Sequence, residues 1–257
     1  MDRMPVLFVG HGSPMNAIED NEFSLAWITA GKALPSPKSI LCISAHWETK
    51  GTQVTTMGNP RTIHDFYGFP PELYAKMYPA PGSPELARRV RDLAGMDAIA
   101  PDLSWGLDHG TWSVLSRLFP KADVPVIQLS LDVTKNAQAH YGMGRKLQPL
   151  RDEGVLIVGS GNIVHNLRMI DFQDTAYDWA VEFDGKIKHW IIDDAHEPII
   201  QYEKQGREAE MAINSAEHYK PLLYVLGAKE SGEPVSFFTE KVWGGSLSMR
   251  SVRIGGK

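Results

Sequence analysis

The stretch from residue 5 to residue 14, PVLFVGHGSP, sets the interpretation of the whole chain. Four consecutive apolar residues at 6–9 predict a strand that is buried on both faces, because a half-exposed strand would alternate apolar and polar side chains. The strand ends at His11, which lies between two glycines. Flanking glycines let the backbone turn sharply and leave the imidazole facing a crevice. This pattern indicates a functional histidine at a strand end.

The same arrangement recurs along the chain. Apolar runs at 40–43, 126–129 and 155–158 predict three more buried strands, and His46 and His165 follow the first and the last of these runs. In a parallel sheet the carboxyl ends of the strands share one edge, where α/β folds bind ligands. One such histidine alone would be expected on the surface or hydrogen-bonded in the core. Three at equivalent strand ends favour a convergent metal or catalytic site, since imidazole is the commonest transition-metal ligand.

Helices are expected between the strands. Ser83, Pro84 and Glu85 predict a helix start, and the sequences at 111–120, 135–154, 175–194 and from 217 onward favour further helices. The segment 234–256 alternates around two glycines and predicts a terminal β-hairpin. Strands alternating with helices indicate a single α/β domain over residues 1–257, with a central, mostly parallel sheet flanked by helices and a metal site at the carboxyl edge of the strands.

The composition of the chain excludes several kinds of binding partner and metal site. The chain has 257 residues and a formal net charge of −5, which gives no electrostatic basis for binding nucleic acid or an anionic membrane. Cys42 is the sole cysteine, so intramolecular disulfides and a cysteine-rich zinc site are excluded. No apolar run approaches the roughly 20 residues of a membrane span, and the first residues lack the apolar core of a signal peptide. We therefore expect a cytoplasmic protein, monomeric or a small homo-oligomer, that acts on a small molecule.

Three other histidines lie in settings that permit a role in the site. His109, in DHGTW, precedes a predicted helix and either lines the crevice or packs in the loop. His64 would reach the site only if the aromatic segment 51–81 folds over it, and that segment is either a lid or binding loop or a structural excursion. His218 and Glu217 are alternatives for completing a metal site, and Glu217 could instead favour a helix N-terminus.

The remaining histidines, His140, His189 and His196, lie in polar or helical contexts and are expected to be solvated.

Eight motifs, in order along nearly the whole chain, together resemble the class III extradiol ring-cleavage dioxygenases, and most closely their 4,5-DOPA dioxygenase extradiol branch. The motifs are GHGSPMN, SAHWET, TIHDFYGFP, YPAPGSP, GLDHGTW, GSGNIVHNL, EHYKPLLYVLGA and GSLSMRSV. The resemblance implies an α/β fold with a mononuclear divalent metal in the crevice. It also implies insertion of both atoms of dioxygen into a catechol such as DOPA.

Carried over residue by residue, the resemblance assigns His11, His46 and His218 as metal ligands. His165 matches an acid–base histidine that can also contact the metal. His109 matches a catalytic histidine that either supports the metal ligands from behind or contacts substrate. Many relatives in the wider class use two histidines and a carboxylate, which leaves Glu217 as an alternative to His218.

A neutral set of histidines suits Zn(II) as well as Fe(II). We therefore expect zinc in the isolated protein and Fe(II) for ring cleavage, because zinc cannot change its oxidation state. His64, Trp47 and Trp112, with the 62–69 segment, could supply walls for the substrate, although core packing is the alternative for Trp112. The rival functions are a zinc-dependent hydrolase that uses the same ligands and a metal-binding relative without turnover.

Overall fold

A mixed sheet forms the centre of the molecule in the computed structural model, which describes residues 3–256. The sheet has the strand order β4-β3-β5-β2-β6-β1-β10-β7, and a separate two-stranded ribbon pairs β8 with β9. The strands are β1 (Val6–Gly10), β2 (Ser39–Thr49), β3 (Thr52–Thr55), β4 (Ile99–Asp102), β5 (Val126–Asp132), β6 (Val155–Gly161), β7 (Val235–Phe238), β8 (Val242–Trp243), β9 (Leu247–Ser248) and β10 (Ser251–Ile254).

The four central strands β5, β2, β6 and β1 are mutually parallel, as the apolar runs predict. The antiparallel pairs lie toward the edges, where β10 joins β1 and β7, and β3 joins β5. Successive side chains of β1 point to opposite faces, so that Phe8 packs in one hydrophobic cluster and Leu7 and Val9 pack in another. Both faces are therefore covered, which explains why the strand sequences are continuously apolar.

Helices cover the two faces of the sheet. One cluster includes side chains of α1 and α4, and the other includes side chains of α3, α5, α6 and α9. Within residues 3–256, no helix combines the length and apolar character needed to cross a membrane. The helices are α1 (Glu22–Ala33), α2 (Pro71–Tyr74), α3 (Pro84–Ala94), α4 (His109–Leu118), α5 (Ala137–Leu147), α6 (Asp178–Ile192), α7 (His196–Ile200), α8 (Arg207–Ala212) and α9 (Lys220–Gly227).

Most local predictions are confirmed. The Ser83 hydroxyl accepts a hydrogen bond from the Leu86 amide at 3.1 Å and caps α3, which ends at Gly95 with φ of +101°. The predicted hairpin is formed by β7 and β10, with the short β8–β9 ribbon at its tip.

Two predictions need correction. The segment 51–81 is not wholly irregular, because it begins with β3 and contains α2. The four residues of β3 form a strand because they pair with β4 and β5. Their local sequence alone does not distinguish them from a loop. The prediction that His140 is solvated is wrong. Its ring is buried between α5 and α9, where Nδ1 lies 3.1 Å from the Tyr224 hydroxyl oxygen. His196 is largely covered as well, whereas His189 is exposed.

The register of the strands determines which residues lie together at the carboxyl edge of the sheet. Gly10 of β1 is level with Gly161 of β6, and Ser44 of β2 is level with Ser160 of β6. The residues that follow Gly10 and Gly161 leave the sheet side by side, whereas β2 continues past Ser44 to Thr49, so His46 lies within that strand at the same edge. His11, His46 and His165 come from this edge, as the sequence predicts.

Candidate metal centre and active site

Three histidines converge at the carboxyl edge of the sheet. One ring nitrogen from each of His11, His46 and His218 lies within 4.8 Å of the others, and the Nε2 atoms of His11 and His46 are 3.1 Å apart. His218 reaches the edge from the turn that precedes α9. The structure therefore brings together the three residues that the family resemblance assigns as metal ligands.

A hydrogen-bond chain fixes the tautomer of His11. The Ser160 hydroxyl donates to the Gly110 carbonyl oxygen at 2.5 Å, so the same oxygen accepts from His11 Nδ1–H at 3.0 Å. With the proton on Nδ1, the neutral ring presents a lone pair at Nε2 toward the other histidines. This is the usual way in which a metal-binding histidine is oriented by a neighbouring group.

Glu217 orients His218 in the same manner. Its Oε1 lies 3.0 Å from His218 Nδ1, and the Ser215 hydroxyl donates to that oxygen at 2.9 Å. A carboxylate can only accept, so the proton of His218 lies on Nδ1 and leaves the Nε2 lone pair free. Glu217 makes no capping hydrogen bond to the start of α9, so the capping alternative is not realised.

His46 is held by close packing at an irregular part of β2. The pairing of β2 with β5 shifts register between Ile43 and Glu48, and His46 lies within this shift. A Cβ at Gly110 would lie 2.5 Å from the Ser44 hydroxyl oxygen and 2.8 Å from His46 Cδ2. Residue 110 must therefore be glycine for the first turn of α4 to approach the His46 ring.

Asp65 joins His46 to His109. Its Oδ1 accepts from the backbone amide of His109 at 2.8 Å, and its Oδ2 lies 3.0 Å from His109 Nδ1 and 3.7 Å from His46 Nδ1. No strand-end pattern in the sequence singles out Asp65, although the residue follows His64 directly in TIHDFYGFP. Asp108, which neighbours His109 in sequence, instead caps α4 by accepting from the Thr111 amide at 3.0 Å.

Burial keeps these histidines neutral. It lowers the pKa values of His11 and His218 well below the usual range, helped by the repulsion of neighbouring histidines. It also lowers the pKa of His46 to about 3 and that of His165 to about 4. Burial opposes ionisation of Asp65, but the hydrogen bonds that it accepts from His109 and its electrostatic interaction with the His109 and His46 rings lower its pKa overall. The edge thus presents neutral imidazoles beside the side chains of Asp65 and Glu217.

His165 lies against the metal-centre histidines. Its ring stacks on that of His218 with centroids 3.4 Å apart and planes 6° from parallel. Its backbone amide donates to the Ala212 carbonyl at 2.9 Å, which fixes the residue beyond the end of β6. Within residues 3–256 its ring nitrogens make no hydrogen bond, and the ring lines the cavity that opens from the histidines. His165 is therefore available for contact with a ligand or a metal.

The histidines form the inner end of a cavity of about 920 Å³ with largely apolar walls. Phe66 and Phe69, from the aromatic segment, contribute to these walls as expected. Trp243, Leu247 and Met249 of the terminal hairpin also line the cavity, and no periodic signal in the sequence identifies them as cavity residues.

The structure does not bring His64, Trp47 or Trp112 to the lining of this cavity. His64 Nε2 lies 2.9 Å from the Lys76 carbonyl oxygen. Trp47 is buried and stacks on Trp105 with centroids 5.5 Å apart. Trp112 is buried in the core and donates from Nε1 to the Ile63 carbonyl at 2.8 Å, which is the packing role weighed for it above.

Comparison with known proteins agrees with this architecture and shows the class of protein, an oxidoreductase of the dioxygenase type. The chain belongs to the family described as the catalytic LigB subunit of aromatic ring-opening dioxygenase, whose model matches residues 5–245. It is 48% identical over 260 residues to the 4,5-DOPA dioxygenase extradiol of Escherichia coli K12, covering 98% of this chain and 95% of that protein.

Two further likenesses extend across the chain. A 4,5-DOPA dioxygenase extradiol of Beta vulgaris is 37% identical over 253 residues, covering 96% of this chain and 94% of the plant protein. The crystal structure of an uncharacterized protein from Escherichia coli K12 superposes with a TM-score of 0.86 at 43% identity, covering 98% of this chain and 100% of that one. The expected single α/β domain with a mostly parallel sheet is therefore confirmed.

Proposed function

We propose that this chain, as one catalytic domain over residues 1–257, is an extradiol dioxygenase that opens a catechol such as DOPA by 4,5-cleavage. One divalent metal would be held by His11, His46 and His218. The observation that carries the proposal is the convergence of three neutral imidazoles at the inner end of an apolar cavity. The names of the relatives support the substrate class.

The residues fit a metal. Two nitrogens bound to one ion at about 2.1 Å lie roughly 3.0 to 3.4 Å apart in octahedral or tetrahedral geometry, and the Nε2 atoms of His11 and His46 are separated by 3.1 Å. Hydrogen bonds from Nδ1 to Ser160 and Glu217 leave the Nε2 lone pairs of His11 and His218 toward that point. Because Glu217 accepts the Nδ1 proton of His218, we assign His218 rather than Glu217 as the third ligand.

Fe(II), when bound, supplies the redox chemistry by which a catechol can react with dioxygen, whereas Zn(II) cannot change its oxidation state. The neutral donor set suits both ions. Zinc is therefore expected in the isolated protein and iron in the active one.

The chain itself supplies groups that move protons. The Asp65 carboxylate, 3.0 Å from His109 Nδ1, favours the proton on that nitrogen, so that His109 Nε2 can accept a proton from a catechol hydroxyl. His165 lines the cavity as a neutral ring and is the second acid–base group, able to take a proton and return it as the ring opens. Its stacking on His218 keeps it beside the metal centre, so that it can also contact the metal.

The walls orient the substrate and limit the access of water. Phe66, Phe69 and Trp243 present aromatic surface around the space in front of the histidines. An aromatic ring packed there would be held with its hydroxyls toward the metal centre, because the imidazoles supply polar groups at the inner end of the cavity.

The test is oxygen uptake by metal-stripped protein that is mixed with DOPA anaerobically, given Fe(II) or Zn(II), and then exposed to air. Oxygen consumption and a new yellow chromophore are expected with Fe(II) only. Absence of uptake with every catechol, despite tight metal binding, would refute the dioxygenase proposal and favour a zinc hydrolase or a binding protein.

A further inference from the structure

The mouth of the cavity carries a charge cluster that the proton chemistry does not use. Lys241 Nζ lies 2.7 Å from Glu22 Oε1 and 2.8 Å from Asp174 Oδ1, and all three side chains line the cavity. Glu19 adds a third carboxylate to the lining. Among the described residues of this lining, Lys241 is the sole lysine or arginine.

Stability does not account for the cluster. The side chains of Glu22 and Asp174 are 60% and 68% exposed, and ion pairs between such exposed groups contribute little to folding. The three charges nevertheless come from distant parts of the chain, namely the first turn of α1, the segment before α6 and the turn between β7 and β8.

The backbone at Lys241 is fixed relative to the cavity wall. The Lys241 amide donates to the Thr239 carbonyl at 2.8 Å, and the Lys241 carbonyl accepts from the Met249 amide at 2.8 Å. Met249 itself lines the cavity. The start of α1 is equally fixed, because Asn21 and Ser24 form a reciprocal capping box around Glu22.

The cluster retains hydrogen-bonding capacity for a ligand. A lysine ammonium has three N–H donors, of which Glu22 and Asp174 occupy two. The third is within reach of the other Asp174 oxygen, Oδ1, at 2.8 Å, and because the Asp174 side chain is 68% exposed, a ligand carboxylate can take the place of that contact. Each carboxylate also has unused acceptor positions. The mouth can therefore pair with an anionic group at Lys241 and a cationic group at the adjoining carboxylates.

We propose that Lys241, Glu22 and Asp174 form the subsite that recognises a zwitterionic α-amino acid side arm on the catechol. The carboxylate of that arm pairs with Lys241, and its ammonium pairs with Glu22 and Asp174. The inference rests on the proposed function, because a catechol ring with its hydroxyls at the histidines directs its side arm outward between apolar walls. Lys241 thereby determines specificity.

Charge complementarity ranks the possible side arms. A carboxylate alone would pair with Lys241 but lie near three carboxylates, which disfavours it. An amine alone would pair with Glu22 and Asp174 but be repelled by Lys241. A zwitterionic arm can pair with both Lys241 and the carboxylates, whereas a neutral arm forms no ion pair with either.

The test compares four catechols with the Fe(II)-loaded protein: L-DOPA, dopamine, 3-(3,4-dihydroxyphenyl)propionate and 4-methylcatechol. Lys241→Met is expected to raise the KM for DOPA about fivefold, leave kcat within twofold, lower the KM for dopamine and leave 4-methylcatechol unchanged. The Kd of DOPA for Zn(II)-loaded protein, which does not turn over, should rise by the same factor. Lys121→Met, which removes an exposed lysine outside the cavity lining, controls for net charge.

A second variant tests the carboxylates. Glu22→Gln should raise the KM for DOPA and dopamine alike without affecting 4-methylcatechol. An unchanged KM for DOPA in Lys241→Met, or an equal change for 4-methylcatechol, would overturn the subsite while the dioxygenase proposal stands. Failure of the wild-type protein to cleave any of the four catechols would refute the proposed function, and the subsite with it.

Discussion

The two ends of the cavity are built in different ways. At the inner end, histidines from the edge of the sheet and from the starts of two helices converge, and several of them contact an orienting partner, namely Ser160, Glu217 or Asp65. At the mouth, exposed side chains from distant parts of the chain meet around Lys241. The histidines at the inner end are closely packed, and those assigned as ligands at positions 11 and 218 are oriented by hydrogen bonds, which suits chemistry. The mouth is solvated and can differ between relatives without disturbing the metal centre, which suits the selection of substrate.

The difference implies that small changes at the inner end have large effects. Asp65→Asn is expected to lower kcat about 100-fold with little loss of bound metal, because His109 would lose the carboxylate that holds its proton on Nδ1. Steady-state oxygen uptake and metal analysis measure the two quantities separately. Asp97→Asn, at an exposed carboxylate, serves as the control. A kcat within threefold of wild type would show that Asp65 has no such role.

Ser160→Ala probes the orientation of a ligand. Removing the hydroxyl that accepts from His11 Nδ1 should weaken metal binding by about 10- to 100-fold, as loss of such an orienting partner typically does. The matched control is Ser113→Ala, since Ser113 is also buried but its hydroxyl has no hydrogen-bond partner among residues 3–256. Competition with a chelator gives both affinities. Equal losses in the two variants would mean that the effect is one of packing.

Burial of a histidine away from the cavity should affect stability rather than chemistry. Burial, aided by the charge of Lys220, lowers the pKa of His140 to about 4, compared with about 6.5 in the unfolded chain. The unfolded chain therefore binds more protons between pH 6.5 and pH 4, and the free energy of unfolding falls as the pH is lowered through that range. The full contribution is about 3 kcal/mol.

His140→Gln should remove this part of the pH dependence, measured by denaturant unfolding between pH 4 and pH 7. The exposed His189→Gln variant should leave it in place. Identical pH dependence in wild type and His140→Gln would rule out the assigned role of His140.

The smallest effect is expected at the mouth. Phe172 lines the cavity yet is 81% exposed, so Phe172→Ala should change the free energy of unfolding by less than about 0.5 kcal/mol while raising the KM for DOPA about threefold. Leu103→Ala, at a residue that is 76% exposed outside the cavity lining, should change neither quantity. A loss of kcat in Phe172→Ala would contradict the proposal that residues at the mouth affect substrate binding but not the chemical step.

The same contrast explains what the sequence could predict. His11 and His46 are visible because continuous apolar runs identify buried parallel strands, whose carboxyl ends share an edge. The roles of Asp65 and Lys241 in the site cannot be predicted from strand patterns. Their positions depend on the paths of irregular segments, and no periodicity encodes those paths. The strand β3 went unrecognised for a related reason, since its four residues are a strand only through pairing with β4 and β5.

The most direct measurement is anomalous diffraction from crystals of the Fe(II)- or Zn(II)-loaded protein. One peak is expected about 2.0 to 2.2 Å from Nε2 of His11, His46 and His218, with Glu217 bonded to His218 Nδ1 rather than to the metal. A peak held instead by His46, Asp65 and His109, or by Glu217 in place of His218, would contradict this assignment, because the carboxylates assigned to orientation would then be ligands.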